Sequence, residues 1–157
     1  MTGYHFPNFA EVYTSKYSAV RNWGNGNLSP FFPEDMTELT IATSEDRTAY
    51  QPGEEVMGDV HWKLDKPEGV LELRLFWFTR GKGVEDAGVV ETVRFDRPQQ
   101  EETRTFRFRL PDSPYSFSGK LISLVWALEL VAEPAKDVHR LEITMAPGGK
   151  EIQLGSV

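Results

Sequence analysis

The sequence lacks several features that would assign it to a class. The chain of 157 residues contains no cysteine, so neither a disulfide framework nor a cysteine-ligated metal holds its fold together. No run approaches the roughly 18 apolar residues of a membrane-spanning helix, the nearest being residues 121–128. No secretory signal is recognisable, and we therefore expect a cytoplasmic protein. Basic charge is scarce: a formal net charge of −7 argues against binding nucleic acid or an anionic membrane through bulk electrostatics.

Motifs for chemistry are also missing. The three histidines, His5, His61 and His139, lie far apart and form no metal-binding pair. No serine sits in a Gly-x-Ser-x-Gly elbow, and there is no cysteine to act as a nucleophile instead. Acidic residues crowd the region of the first turn without the spacing of a calcium-binding EF-hand loop. We therefore expect no metal, no cofactor and no enzymatic activity.

From residue 37 onward, apolar and polar residues alternate with the period of a β-strand. Val60 and Trp62 would share one face of such a strand, and Asp59 and His61 the other. This pattern recurs near residues 37–42, 56–63, 71–78, 89–95, 103–110, 121–131 and 138–145, with Gly, Pro and Asp turns between the segments. Seven strands without crossover helices predict an all-β protein, an antiparallel β-sandwich in a single domain of residues 36–157.

Residues 1–35 show a different pattern. Their apolar residues fall at spacings that place them on one helical face: Phe9, Val12, Tyr13, Tyr17 and Val20. Asn8 could cap this helix and Gly24 could end it, so we predict a short N-terminal amphipathic helix and a tether rather than a second domain. Phe9, Tyr13 and Tyr17, called the aromatic stripe below, could cover an open edge or end of the sandwich, pack on a second copy of the chain, or bind a partner.

Arginines are the candidates for binding an acidic or phosphorylated partner. Arg107 and Arg109 would project from one face of a strand, with Arg104 nearby. If exposed, they would form a cationic stripe that pairs with carboxylates or phosphates; otherwise they are solvated charges that protect an edge strand from aggregation.

A second candidate is the segment Arg80-Gly81-Lys82-Gly83. Its glycines could bring backbone N–H groups close to an anion, flanked by the cations Arg80 and Lys82. A hairpin loop after the strand of residues 71–79 is the simpler interpretation, because no Walker or dinucleotide motif accompanies it.

Two stretches resemble the arrestin family. The first is Tyr-Gln-Pro-Gly-Glu-Glu-Val-Met-Gly-Asp-Val at residues 50–60, similar to the family's Tyr-x-Pro-Gly-Glu-x-Val-x-Gly-x-Val motif. Pro52 and Gly53 would form its turn, and Gly58 would admit a close backbone contact or a bulge. The second is the Pro- and Ser-rich segment of residues 110–120, followed by an apolar strand. Together these stretches extend the resemblance over about residues 37–145.

The resemblance implies an immunoglobulin-like β-sandwich and a non-catalytic adaptor or scaffold. This chain has room for one such sandwich, whereas arrestins carry two. The protein partner could be recognised by strand addition at a sheet edge, by the arginines at positions 104, 107 and 109, by the segment of Arg80 and Lys82, or by the aromatic stripe. Two alternatives stay open: a self-associating, homo-oligomeric structural domain, and a small-ligand-binding protein with a pocket near residues 81–83.

Overall fold

The computed structural model describes residues 37–66, 69–83 and 85–155, and this part of the chain is almost entirely β-structure. Its strands are β1 (Glu38–Thr43), β2 (Ala49–Tyr50), β3 (Glu55–Lys63), β4 (Val70–Gly81), β5 (Ala87–Asp96), β6 (Glu101–Arg109), β7 (Phe117–Ser118), β8 (Ile122–Glu133), β9 (Asp137–Met145) and β10 (Ile152–Gln153). Two single-turn 3-10 helices, Ser44–Asp46 and Pro147–Gly149, complete it. The predicted N-terminal helix and tether lie outside the described residues. All seven predicted strands are present.

The strands form two sheets. The smaller sheet has the order β1-β3-β6, with every pair antiparallel. In the larger sheet β4 and β8 are central; β5 pairs with β4, and β7 and β9 pair with successive parts of β8. The two-residue strands β2 and β10 run parallel to β9 and β7 at the margins. Long strands without crossover helices pair antiparallel, as expected for a sandwich.

The core lies between the two sheets and follows from the period-two alternation. On β3, Val56, Val60 and Trp62 are wholly buried, whereas the alternate residue Met57 is 39% exposed. From the larger sheet, Trp126 and its inward neighbours on β4 and β8 meet this face. The alternation therefore predicted correctly which residues of the strands face inward.

The first arrestin-like stretch forms the turn that leads into β3. Gly53 has a φ of +79°, and the N–H of Glu54 donates to the carbonyl of Gln51 at 3.1 Å, which closes a β-turn with Pro52 and Gly53 at its centre. At Gly58, a Cβ would lie 2.1 Å from the carbonyl oxygen of Ala42 on β1. Of the two roles expected for Gly58, the close backbone contact is the one observed, since the β1–β3 register is regular.

The second arrestin-like stretch, residues 110–120, forms hydrogen bonds with strands β8 and β9 of the larger sheet. The indole Nε1 of Trp126 donates to the carbonyl of Pro114 at 2.8 Å. Ser116, which is 2% exposed, binds Met145 twice: its N–H donates to the Met145 carbonyl at 2.7 Å, and its hydroxyl accepts from the Met145 N–H at 2.9 Å. The segment thus satisfies buried polar groups of β8 and β9 that the sheet itself leaves unpaired.

Candidate interaction surfaces

Strand β6 is an edge of the smaller sheet. Within residues 37–66, 69–83 and 85–155 it pairs with β3 alone. At the two ends of this ladder, the N–H of Leu110 donates to the Glu54 carbonyl at 2.9 Å, and the N–H of Leu64 donates to the Gln100 carbonyl at 2.7 Å. The backbone N–H and C=O groups of successive residues point to opposite sides of a strand. Because Leu110 and Gln100 both bond to residues that directly flank β3 and the register is regular, the backbone groups of the even-numbered residues of β6 point towards β3. The outward N–H and C=O groups belong to the odd-numbered residues Glu101, Thr103, Thr105, Arg107 and Arg109.

The side chains of Arg107 and Arg109 lie on the outer face of the smaller sheet. Arg107 has a side chain that is 67% exposed, with its Nε 3.7 Å from Glu55 Oε2. Glu55 stands opposite Arg109 in the register, and the exposed Met57 stands opposite Arg107. The two arginines are therefore exposed, but they form a mixed patch with an acid and a thioether rather than a continuous cationic stripe.

Arg104 lies on the other side of β6 from these two arginines. It belongs to the even-numbered residues, whose neighbours Phe106 and Phe108 point into the core. Its side chain is nevertheless 52% exposed and pairs with the carboxylate of Glu102 on the same strand. Arg104 is thus close to Arg107 in sequence but faces away from it, so it is not part of the same patch.

The segment of Arg80 and Lys82 forms the end of β4 and the hairpin loop to β5. Arg80 pairs with the carboxylate of Glu142 on β9. A Cβ at Gly81 would lie 2.1 Å from the carbonyl oxygen of Leu121, and the N–H of Lys82 donates to that same oxygen at 2.9 Å. The glycine therefore allows a close approach to the start of β8, and the Lys82 N–H is not available to an anion. This geometry favours the hairpin interpretation over the phosphate cradle.

A small polar cleft lies beside the first part of β8. Its volume is about 240 Å³, below the ~300 Å³ at which small-molecule sites typically begin. Hydroxyl groups and one ion pair supply its polar lining: Ser118, Ser123, Thr144, Arg80 and Glu142. These groups can hydrogen-bond a small polar molecule. Arg80, which lines the cleft, directly precedes residues 81–83, where the sequence predicted a pocket.

The outer face of the larger sheet carries an ion-pair network that the sequence did not reveal. Glu129 on β8 is only 2% exposed. Its Oε2 accepts two hydrogen bonds from Arg140 on β9, at 3.1 Å from Nε and 2.7 Å from Nη2. The Nη1 of Arg74 lies 3.9 Å from Glu129 Oε1, and Arg74 Nη2 also binds Glu72 at 2.7 Å. A buried carboxylate needs such partners, because desolvation without them costs several kcal/mol.

Two phenylalanines lie beside this network. Phe76 and Phe78 on β4 stack with ring centroids 5.7 Å apart. The guanidinium of Arg140 stands over both rings, 5.2 and 5.0 Å from their centroids, and that of Arg80 is 5.4 Å from Phe78. These are cation–π distances. The sequence did contain one indication of this arrangement: Phe76 and Phe78 fall on the side of β4 that otherwise carries charged residues.

Three further points concern the aromatic stripe, metal ligands and membrane crossing. The aromatic stripe, Phe9, Tyr13 and Tyr17, lies outside the described residues. In the part of the chain that the structure describes, no three His, Cys, Asp or Glu side chains form a group able to hold a metal ion. His61 and His139 belong to different sheets. No helix within that part is long and apolar enough to cross a membrane.

Comparison with known proteins supports the fold. No protein-family model matches the chain, and no curated protein matches it. Among solved structures, the sporulation control protein Spo0M from Bacillus subtilis matches with a TM-score of 0.51 and 22% identity over 70% of this chain. The fold is an arrestin-like β-sandwich. The match covers 49% of Spo0M, so this chain corresponds to about half of that neighbour.

A second similar structure is more distant. A β-glucosidase from Listeria innocua in complex with glucose matches with a TM-score of 0.41 and 12% identity, over 74% of this chain and 16% of the enzyme. A likeness at this level carries no argument about activity. The match to Spo0M supports, at the level of the fold, the arrestin-like resemblance expected from the two sequence stretches.

Proposed function

We propose that this protein is a non-catalytic protein-interaction module that binds an extended segment of a partner as an additional strand on β6. The observation that carries the proposal is the edge of β6, whose outward backbone groups pair with no strand in the described part of the chain. The exposed side chains of Arg107 and Arg109 belong to the same outward residues. Backbone bonds would supply affinity, and side chains would supply selectivity, as in other strand-addition complexes.

The chemistry of the edge favours an acidic partner segment. Arg107 and Arg109 flank the outward backbone groups, and the pairing of Arg107 with Glu55 is loose at 3.7 Å. An incoming carboxylate can therefore replace or extend this contact at little cost, since exposed ion pairs contribute only about 0–1 kcal/mol. The exposed Met57 offers an adaptable apolar contact on the same face.

Substitution of Thr105 by proline tests strand addition. Thr105→Pro removes an outward N–H in the middle of the edge and leaves the ladder to β3 intact, because proline is tolerated on edge strands where the N–H is unpaired. Twelve-residue peptides selected from a random displayed library on the wild-type protein are the probe, and their affinity is measured by fluorescence polarisation. We expect acidic peptides, with binding weakened about tenfold or more by Thr105→Pro, roughly 1.4 kcal/mol.

Matched variants separate the backbone contribution from other effects. Thr105→Ala keeps the N–H and should bind like the wild type. The double reversal Arg107→Glu with Arg109→Glu should weaken acidic peptides, whereas Arg94→Glu on β5, an exposed arginine of the other sheet, should not. Peptides that bind Thr105→Pro and the double reversal as tightly as they bind the wild type would refute recognition at β6.

A further inference from the structure

The outer face of the smaller sheet carries two rows of charges that end at the β6 edge. Each row follows the register between neighbouring strands, so its side chains lie on one face and stand directly opposite each other. At the start of β6 the row is Glu38, Lys63 and Glu101, with alternating sign. At the end of β6 the row is Glu55 and Arg109. One end of the edge is therefore acidic and the other end is basic.

The edge between these two ends is long and regular. All nine residues of β6 pair with β3 without a bulge, and none of them is proline. Such an edge is a template for a further strand unless its charges repel the incoming chain. The charges of β6 do not repel a copy of the same strand that runs antiparallel, because the basic end of one strand then meets the acidic end of the other.

We propose that two copies of the protein associate by pairing β6 with β6 of the second copy, antiparallel and about a two-fold axis at Thr105. In this register the outward N–H and C=O groups of Thr105 bond to those of Thr105 in the second copy. Glu101 then stands opposite Arg109 of the second copy, and the same contact recurs at the other end because a two-fold interface is self-complementary. The two smaller sheets join into one sheet of the order β1-β3-β6-β6-β3-β1.

The charges on the outer face favour this register. Across the joined sheet, the row of Glu38, Lys63 and Glu101 continues into Arg109 and Glu55 of the second copy, so that all consecutive side chains alternate in sign. The two-fold axis repeats this row at the other end of the interface. Opposite charges on directly opposite residues stabilise a strand pair by roughly 0.2–1 kcal/mol each, whereas like charges destabilise it.

Neighbouring positions of the two-fold axis lose these contacts. An axis at Arg104 would leave Arg109 beyond the end of the opposing strand, and an axis at Phe106 would leave Glu101 there. With the axis at Thr105, every residue of each β6 strand is paired, and no two like charges stand directly opposite each other. The edge is therefore most self-complementary in the proposed register.

The dimer and the partner segment of the proposed function would use the same outward groups of β6, so each would exclude the other. This competition rests on the proposed function, whereas the dimer itself depends only on the edge. One pair of nine-residue strands makes a small interface, and interfaces below roughly 1,200 Å² belong to weak complexes. We therefore expect a dissociation constant of roughly 10–500 µM, weak enough for an acidic segment to displace the second copy.

Charge reversals, one at a time, test the register in the full chain. Glu101→Arg would place two arginines opposite each other at both ends of the interface, and Arg109→Glu would place two glutamates there. In sedimentation measurements from about 5 µM to about 1 mM, we expect the dissociation constant of each variant to exceed that of the wild type at least about tenfold. An equimolar mixture of the two variants should associate within about threefold as tightly as the wild type, because both contacts between unlike chains are then complementary.

Matched reversals on β5 supply the control. Glu91→Arg and Arg94→Glu change exposed charges of the other sheet and should dimerise like the wild type, alone and mixed. A wild type that stays monomeric at about 1 mM would overturn the proposal. So would reversals at 101 and 109 that dimerise as tightly as the wild type, or whose mixture associates no more tightly than either variant alone. Circular dichroism spectra establish that the variants remain folded.

Cross-linking provides a second measurement that leaves the charges unchanged. Because the chain contains no cysteine, Thr105→Cys introduces a single thiol. On the two-fold axis it lies about 5.5 Å from its counterpart, whereas the thiols of Thr103→Cys lie four residues, roughly 13 Å, apart along the strands. A short bismaleimide should therefore join Thr105→Cys chains into dimers at least about tenfold faster than Thr103→Cys chains. Equal rates would contradict an axis at position 105.

The dimer and the proposed function fail separately. A protein that dimerises as described but selects no acidic peptide would refute partner binding at β6 and leave the dimer standing. A protein that binds acidic peptides but stays monomeric at about 1 mM would refute the dimer alone. Where both are found, saturating acidic peptide should return the wild type to monomers, and a dimer that persists with peptide bound would contradict the shared edge.

Discussion

Single polar groups in this sandwich are retained where the fold supplies partners for them. Tyr50 is 1% exposed, its hydroxyl donates to the carbonyl of Arg47 at 2.8 Å, and the Arg47 guanidinium lies 4.7 Å from its ring centroid. Burial raises the pKa of the Tyr50 phenol, because it disfavours the charged phenolate. The hydrogen bond to Thr43 and the charge of Arg47 act in the opposite direction and do not cancel this effect.

The raised pKa of Tyr50 predicts a loss of stability at alkaline pH. Above pH 10.0, the ordinary pKa of a tyrosine phenol, the unfolded chain releases the Tyr50 proton while the folded chain keeps it, so the free energy of unfolding falls as pH rises. Tyr50→Phe should cost about 1 kcal/mol at pH 8, through the lost hydrogen bond. This cost should shrink at pH 11 in urea unfolding measurements. A cost that stays constant or grows between the two pH values would contradict the prediction.

At the scale of the elements, the pairing of β1 with β3 depends on one glycine. Gly58→Ala would place a methyl group 2.1 Å from the Ala42 carbonyl oxygen and 2.9 Å from the Thr43 Cα. Both are backbone atoms, so the clash is relieved only by moving β1 away from β3. We expect destabilisation of about 2–3 kcal/mol, with faster amide exchange in β1.

The neighbouring residue supplies the control for this prediction. Asp59 lies on the same strand, with its side chain on the exposed outer face. Asp59→Ala should change the free energy of unfolding by no more than about 0.5 kcal/mol. Chemical denaturation of the two variants against the wild type measures the difference. If Gly58→Ala proves as stable as Asp59→Ala, the close contact between β1 and β3 is not a constraint on the fold.

At the scale of the whole molecule, the two sheets share one core. Trp62 of the smaller sheet and Trp126 of the larger sheet are both wholly buried in it, and each indole N–H donates to a loop carbonyl, at 3.0 Å to Gln99 and 2.8 Å to Pro114. Neither sheet can expose its inner face without exposing that of the other. The described domain should therefore unfold in a single cooperative step.

Trp62→Phe and Trp126→Phe test this cooperativity. Both are made in a background with Trp23→Phe and Trp77→Phe, because the chain has four tryptophans and Trp77 also lies in the larger sheet. Each variant then loses the tryptophan reporter of one sheet and keeps that of the other. Within each variant, the denaturant midpoint measured by tryptophan fluorescence should equal the midpoint measured by far-ultraviolet circular dichroism. Separate midpoints would mean that the sheets unfold independently.

Much of this architecture could be predicted from the sequence because its cause is local. The alternation around Val60 and Trp62 determines which side of β3 is buried, since a strand has a strict period of two. The turn at Pro52 and Gly53 follows from the backbone preferences of those two residues. The exposure of Arg107 and Arg109 likewise follows from their alternation with Phe106 and Phe108.

Features that depend on several strands at once could not be predicted in this way. The network of Glu129, Arg140 and Arg74 joins three strands, and the free edge of β6 exists because no described strand other than β3 lies beside it. Arg104 is close to Arg107 along the chain, but a separation of three residues on one strand directs their side chains to opposite faces, which the period of two alone requires. The sequence by itself determined the strands, their inward faces and the main turn, because those depend on neighbours a few residues away. Only the tertiary structure decided that β6 lies at an edge of the smaller sheet and that Glu129 is buried among arginine partners, because those features depend on residues that meet only after the sheets have formed.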